Sequence, residues 1–217
     1  MLKEGYLINM KKVLFIGNSH TYFENLPWLF VDVCRQAGID VHAGMCTQGG
    51  QNWEWHLTSN CALPNVRHGN YDFVVIQQKA HPFDGEEELI AQGIPLIKEI
   101  QDSKSIPVLF STWSEKNNPD GQKAVDDAHT KLCGLFDGCL IARCGTAWHS
   151  LREIIDLYAP DGEHQNSRGA YLNACVIAKT IFGIDPLVLP DEIDTKTLTY
   201  IFKKDEIRLL QKTASIF

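Results

Sequence analysis

Three residues of this chain have the types and placement that acyl transfer requires. Ser19 follows the apolar run Val13 to Ile16 inside Gly17-Asn18-Ser19-His20-Thr21, and Asp161 precedes His164 in Asp161-Gly162-Glu163-His164. A serine hydroxyl becomes a nucleophile only beside a base, and the base needs an acid to fix its tautomer. A DxxH turn lets the carboxylate reach the imidazole Nδ1–H and leaves Nε2 free to face a serine from another part of the fold. Each piece alone has an ordinary reading. Gly-Asn-Ser also fits a βα turn with a capping side chain or a phosphate cradle, and Asp-Gly is a common turn signal. Together they point to a serine hydrolase.

Acyl transfer also needs donors for an oxyanion. Thr47-Gln48-Gly49-Gly50-Gln51-Asn52 is a loop in which glycine lets a backbone N–H approach a ligand, and Gly50 is the preferred donor beside the N–H of Ser19. Gln77 and Gln78 end the apolar run Val74-Val75-Ile76. Gln77 is the candidate third donor, although two glutamines there could equally cap the strand. Trp53, Trp55 and His56 follow Gly50 and could line a cleft that stacks on a sugar, with Asn18 and Gln78 as further substrate contacts; the aromatics fit a helix anchored in the core as well. A histidine base predicts a rate that falls as the imidazole protonates, below about pH 6 to 7, and activity undiminished at pH 4 would argue against it.

The elements needed to bring these residues together are legible as alternating short apolar runs and longer amphipathic stretches, the pattern of βα units around a mostly parallel sheet. Strands are expected at Val13 to Ile16, near Ile39 to Ala43, and at Phe73 to Ile76, Pro107 to Ser111 and Cys139 to Ala142. Helices are expected at Leu26 to Ala37, Asn52 to Ser59, Glu86 to Gln101, Lys123 to Phe136, Trp148 to Asp156, Ser167 to Phe182 and Lys203 to Thr213. Ser167 reads as an N-cap and Gly183 as a C-terminal stop. In such a sheet ligands gather at the carboxyl ends of the strands, where Ser19, Gly50 and Gln77 all fall.

The order of Ile16-Gly17-Asn18-Ser19-His20-Thr21, Gly50 and Asp161-Gly162-Glu163-His164 resembles the SGNH, or GDSL-like, hydrolase superfamily over roughly residues 12 to 183. The resemblance implies a flavodoxin-like three-layer α/β/α sandwich and an esterase with Ser19, His164 and Asp161 as triad and Ser19, Gly50 and Gln77 as oxyanion hole. Asn18 stands where the namesake sequence has Asp, and Gln77-Gln78-Lys79 replaces the usual Gly-x-Asn-Asp of the third block. The expected substrate is a small or carbohydrate O-acyl ester, acetyl foremost, with no metal, flavin or nucleotide cofactor. The alternative is a catalytically weak or inactive glycan-binding protein on the same fold.

The bulk properties agree with one soluble domain over residues 1–217. The chain has 44% hydrophobic and 22% charged residues and a formal charge of −7. No Lys/Arg stripe suits a nucleic-acid partner, and no apolar segment is long enough for membrane insertion. Glu86-Glu87-Glu88 fits a first helical turn. The seven cysteines lack CxxC spacing and read as reduced thiols, hence a cytoplasmic protein; His20, His42 and Cys46 have no metal-site spacing. Residues 1–9 read as a loose extension before Met10, and the oligomeric state is not encoded legibly.

Overall fold

A computed structural model describes residues 10–193 and 202–217; the 1–9 extension lies outside them. Five strands, β1 (Lys11–Gly17), β2 (Val41–Thr47), β3 (Phe73–Ile76), β4 (Ile106–Phe110) and β5 (Leu140–Ala142), form one sheet of order β2-β1-β3-β4-β5. Every pairing is parallel. The first strand therefore lies inside the sheet, between β2 and β3, so Ser19 emerges between the loops that carry Gly50 and Gln77.

The helices are α1 (Ser19–Tyr22), α2 (Leu26–Gln36), α3 (Trp53–Thr58), α4 (Ala62–His68), α5 (Glu86–Asp102), α6 (Gln122–Cys133), α7 (Cys144–Leu151), α8 (Ser167–Phe182) and α9 (Lys204–Ala214). Strand alternation divides them into two layers. Val13, Phe15, Val75, Val108 and Phe110 face a core built with α2, α7, α8 and α9. Leu14, Ile16, Val74, Ile76 and Leu109 face a second core built with α3 to α6. Both faces of the central strands are covered, which is why they read as unbroken apolar runs. The result is the three-layer α/β/α sandwich expected.

Several expected boundaries move. The second strand begins and ends later than Ile39 to Ala43, and the helix expected at Trp148 to Asp156 starts at Cys144 and ends at Leu151. There the buried side chains Cys144, Ala147, Trp148 and Leu151 set the helical face. Helix α4 was not expected, and α8 is capped by Asn166, whose side chain accepts the N–H groups of Arg168 and Gly169, with Ser167 inside the helix. Gly183 does end α8, at φ +68°.

The cysteines require a larger correction. Cys46, on β2, and Cys61, which caps α4, form a disulfide with their Cα atoms 5.9 Å apart. Cys34, Cys133, Cys139, Cys144 and Cys175 are free thiols. Folding, not sequence spacing, brings the pair together, and a cytoplasmic location loses the argument that rested on seven reduced thiols. No helix among the described residues is long and apolar enough to cross a membrane.

Candidate active site

The turn after β1 is shaped by close packing under Gly17. A Cβ there would lie 2.3 Å from Thr21 Oγ1 and 2.6 Å from Gln77 Oε1, so the position has room only for hydrogen. Asn18 caps α1: its Oδ1 accepts the N–H of His20 at 3.1 Å, while its Nδ2 donates to the carbonyl of Gln51 at 3.0 Å. Ser19 begins the helix.

From the other end of the chain, the loop between Tyr158 and Gln165 delivers His164. The N–H of Ala159 donates to the His164 carbonyl at 2.8 Å, that of Gly162 to Ala159 at 3.0 Å, and Gly162 takes φ +75°. Buried side chains hold this loop. Trp113 Nε1 donates to the Glu163 carbonyl at 2.8 Å; Gln165 Nε2 donates to the Phe23 carbonyl at 2.6 Å and its Oε1 accepts from Asn173 at 2.9 Å. The Phe23 ring lies 4.1 Å, centre to centre, from the His164 ring.

These supports bring three side chains separated by up to 145 positions into one row. Ser19 Oγ is 2.7 Å from His164 Nε2, and His164 Nδ1 is 2.7 Å from Asp161 Oδ2. A carboxylate only accepts, so the neutral imidazole carries its hydrogen on Nδ1 and its Nε2 accepts the serine hydroxyl. Asp161 Oδ1 accepts the N–H groups of Glu163 and His164, each at 2.9 Å. Desolvation pulls its pKa up, but these two N–H groups and the imidazole outweigh it and hold the carboxyl at about 2.

The oxyanion candidates separate. Gly50 is exposed at φ +71°, with open space where a Cβ would stand. Its loop is tied to the turn that carries Ser19, since Gln48 N–H donates to the Gly17 carbonyl at 3.1 Å. Gln77 is fully buried: its Oε1 accepts the Asn18 N–H and the Thr21 hydroxyl, each at 2.9 Å, and its Nε2 donates to the Gln78 carbonyl. Its amide thus lies beneath the turn as a brace, not at the cleft mouth as a free donor.

The substrate contacts expected around it mostly turn inward. Gln78 is buried, its Oε1 accepting the N–H groups of Trp53 and Lys79 and its Nε2 bonding Gln92. Asn18 is buried as well, and Trp53 sits wholly in the core. His56 is buried with Nε2 2.9 Å from the Gly17 carbonyl, bracing the turn from behind. Only Trp55 of the five remains open, at 37% exposure. A hollow of about 470 Å³ is lined by Asp161 together with Glu115, Lys116, Asn117, Gly162 and Glu163. An apolar groove of about 580 Å³ runs beside Tyr22, the last residue of α1, between Trp28 and Met45.

Sequence reasoning missed His20 and His81 as parts of this site. The His20 ring stacks on that of His164, centres 4.7 Å apart and planes at 19°, and His20 Nε2 is 3.0 Å from His81 Nδ1. The available signal was the position of His20 directly after the serine.

No protein-family model matches the chain, and no curated protein matches it by sequence. Solved structures do match. A DUF4886 family protein from Bacteroides uniformis superposes with a TM-score of 0.76 at 18% identity, over 95% of this chain and 94% of that one. An acetyl-xylooligosaccharide esterase from Geobacillus Stearmophilus gives 0.64 at 15% identity, over 79% and 94%. A member of the lipolytic protein G-D-S-L family from Veillonella parvula gives 0.61 at 14% identity, over 80% and 98%. With a parallel sheet ordered β2-β1-β3-β4-β5 between two helical layers, the chain has the fold of the SGNH hydrolases.

Proposed function

We propose that this protein is a serine esterase that hydrolyses small or carbohydrate O-acyl esters, acetyl esters foremost. The observation that carries the reading is the hydrogen-bonded row Ser19 Oγ, His164 and Asp161, with both links at 2.7 Å. His164 takes the proton of Ser19 as Oγ attacks the ester carbonyl, Asp161 stabilises the resulting imidazolium, and the proton then passes to the departing alcohol. Water, activated by the same base, releases the acid. The N–H groups of Ser19 and Gly50 receive the oxyanion. The buried amides of Gln77 and Gln78 are committed elsewhere, so two donors rather than three serve the transition state. Each such donor is worth about 10² to 10³ in turnover, which predicts a modest enzyme.

The acetyl preference draws on the fold shared with an acetyl-xylooligosaccharide esterase. A hydroxyl-rich alcohol suits the polar hollow beside Asp161, where Glu115, Lys116 and Asn117 offer hydrogen-bonding groups. The test is covalent. A fluorophosphonate should modify the folded protein at Ser19, located by peptide mass spectrometry, and p-nitrophenyl acetate should be cleaved faster than the butyrate. A folded, unlabelled and inactive protein would instead favour a glycan-binding role for this cleft.

A further inference from the structure

Four groups stand in a row beside His164. Asn18 Oδ1 is 3.2 Å from His20 Nδ1, His20 Nε2 is 3.0 Å from His81 Nδ1, and His81 Nε2 is 2.9 Å from the Trp113 carbonyl oxygen. Three contacts need three hydrogens. The two ends are oxygens that can only accept, and two neutral imidazoles carry one N–H each. The row is therefore one hydrogen short unless the pair holds an extra proton and a charge.

Turning the Asn18 amide does not supply the missing hydrogen. Its oxygen accepts the His20 backbone N–H and its nitrogen donates to the Gln51 carbonyl, so a flip would set N–H against N–H and oxygen against oxygen. The choice lies between charge and an open contact. Burial decides it: desolvation, then His81 and His164, push the His20 pKa down to about 3 against the opposing pull of the Glu163 backbone and of Asp161. Desolvation also lowers His81, outweighing the Trp113 carbonyl, Glu115 and Glu163, with His164 adding to the fall. In a neutral pair the open contact is the longest, at Asn18, and the two shorter ones hold the hydrogens. His81 then donates from Nε2 to Trp113, and His20 donates from Nε2 to His81 Nδ1.

We propose that His20 and His81 are positioning residues for the base: an uncharged imidazole pair, both in the Nε2–H form, that supplies the flat shelf against which the His164 ring lies. This rests on the reading of His164 as the general base. When His164 accepts the Ser19 proton it becomes a cation over the face of a neutral ring, an attractive arrangement that a charged His20 would turn repulsive. His81, anchored on the Trp113 carbonyl, keeps His20 in register. Trp113 also donates to the Glu163 carbonyl, so one residue holds both the shelf and the loop that carries the base.

The tautomers are tested directly on the full chain by nitrogen NMR of ¹⁵N-histidine-labelled protein, with signals assigned from the His20→Phe and His81→Gln spectra. Both rings should be neutral and Nε2-protonated at pH 7, and the His20 ring should be unchanged at pH 5. A cationic ring, or Nδ1–H on either residue, would overturn the assignment. The shelf is tested by kinetics on p-nitrophenyl acetate, with thermal melts to establish folding. His20→Ala should lower kcat by about 10- to 100-fold at nearly constant KM, the scale of a misplaced catalytic group, while His20→Phe, which keeps the ring without its nitrogens, should recover most of the loss. Unchanged kcat in His20→Ala, or equal losses in both variants, would remove the positioning role. An inactive wild type showing the expected tautomers would remove the esterase reading and the shelf with it, leaving the proton arrangement established.

Discussion

Ser19→Ala and His164→Ala are each expected to lower kcat on p-nitrophenyl acetate by about 10⁴-fold or more, and the double variant to lose little beyond either single one. The reason is geometric. The hydroxyl and Nε2 sit 2.7 Å apart and act on one proton, so removing either partner removes the same step. What survives is the contribution of the Ser19 and Gly50 N–H groups and of substrate binding, so KM should move far less than kcat. Asp161→Asn should cost less than the other two, because it leaves nucleophile and base in place while disturbing the tautomer. Steady-state kinetics on variants whose thermal melts match the wild type check all three. A Ser19→Ala protein that retains more than a small fraction of wild-type kcat would end the triad reading.

The acid side of the pH profile follows from the same network. Asp161 is held at about 2, below the ordinary carboxylate value of 3.8. A depressed carboxylate favours the folded state above its unfolded pKa, and that contribution is lost as pH falls through the folded value. Asp161 therefore keeps its charge from neutrality down through pH 4. On the proposed mechanism the loss of activity expected on acidification is therefore not the protonation of Asp161, and a profile still flat at pH 4 would contradict that mechanism.

How much of this was legible in the sequence differs from residue to residue. The strand cores were visible because both faces of β1, β3 and β4 are covered and their runs are unbroken. Ser19, Asp161 and His164 were legible as candidates because they occupy strand-end and turn positions with chemistry-bearing side chains, and the fold brings the three together. The roles of Gln77, Gln78 and His56 were not, since residue type does not say whether a polar group faces a cleft or supports it from beneath. All three are buried and hydrogen-bonded to backbone within or beside the nucleophile turn and α3. The His20–His81 contact joins α1, which follows β1, to the loop that follows β3, and β2 and α4 bring Cys46 to Cys61. Contacts of that kind exist only after the sheet order is set.

The second large effect concerns stability and starts from that disulfide. The Cys46–Cys61 bond closes a loop with a sequence separation of 15 that contains Gly50 and all of α3. Closing a loop of this size restricts the unfolded chain by about 3 kcal/mol. Cys46→Ser, or reduction of the wild type, should therefore lower the melting temperature by roughly 6 to 12 °C for a chain of this length. Turnover should fall as well, below the melting transition, because the freed loop carries the Gly50 N–H; the ceiling on that loss is the worth of one oxyanion donor, about 10² to 10³. Cys34→Ser provides the control: Cys34 is buried and unpaired, so this variant should keep the wild-type sensitivity to reductant, whereas Cys46→Ser should lose it. Thiol titration of the denatured, unreduced chain decides the premise. Seven cysteines less one bonded pair leave five reactive thiols, and a count of seven would show that the loop bearing Gly50 is held without a covalent tie, by its hydrogen bonds to Asn18 and Gln78 and the packing of Trp53.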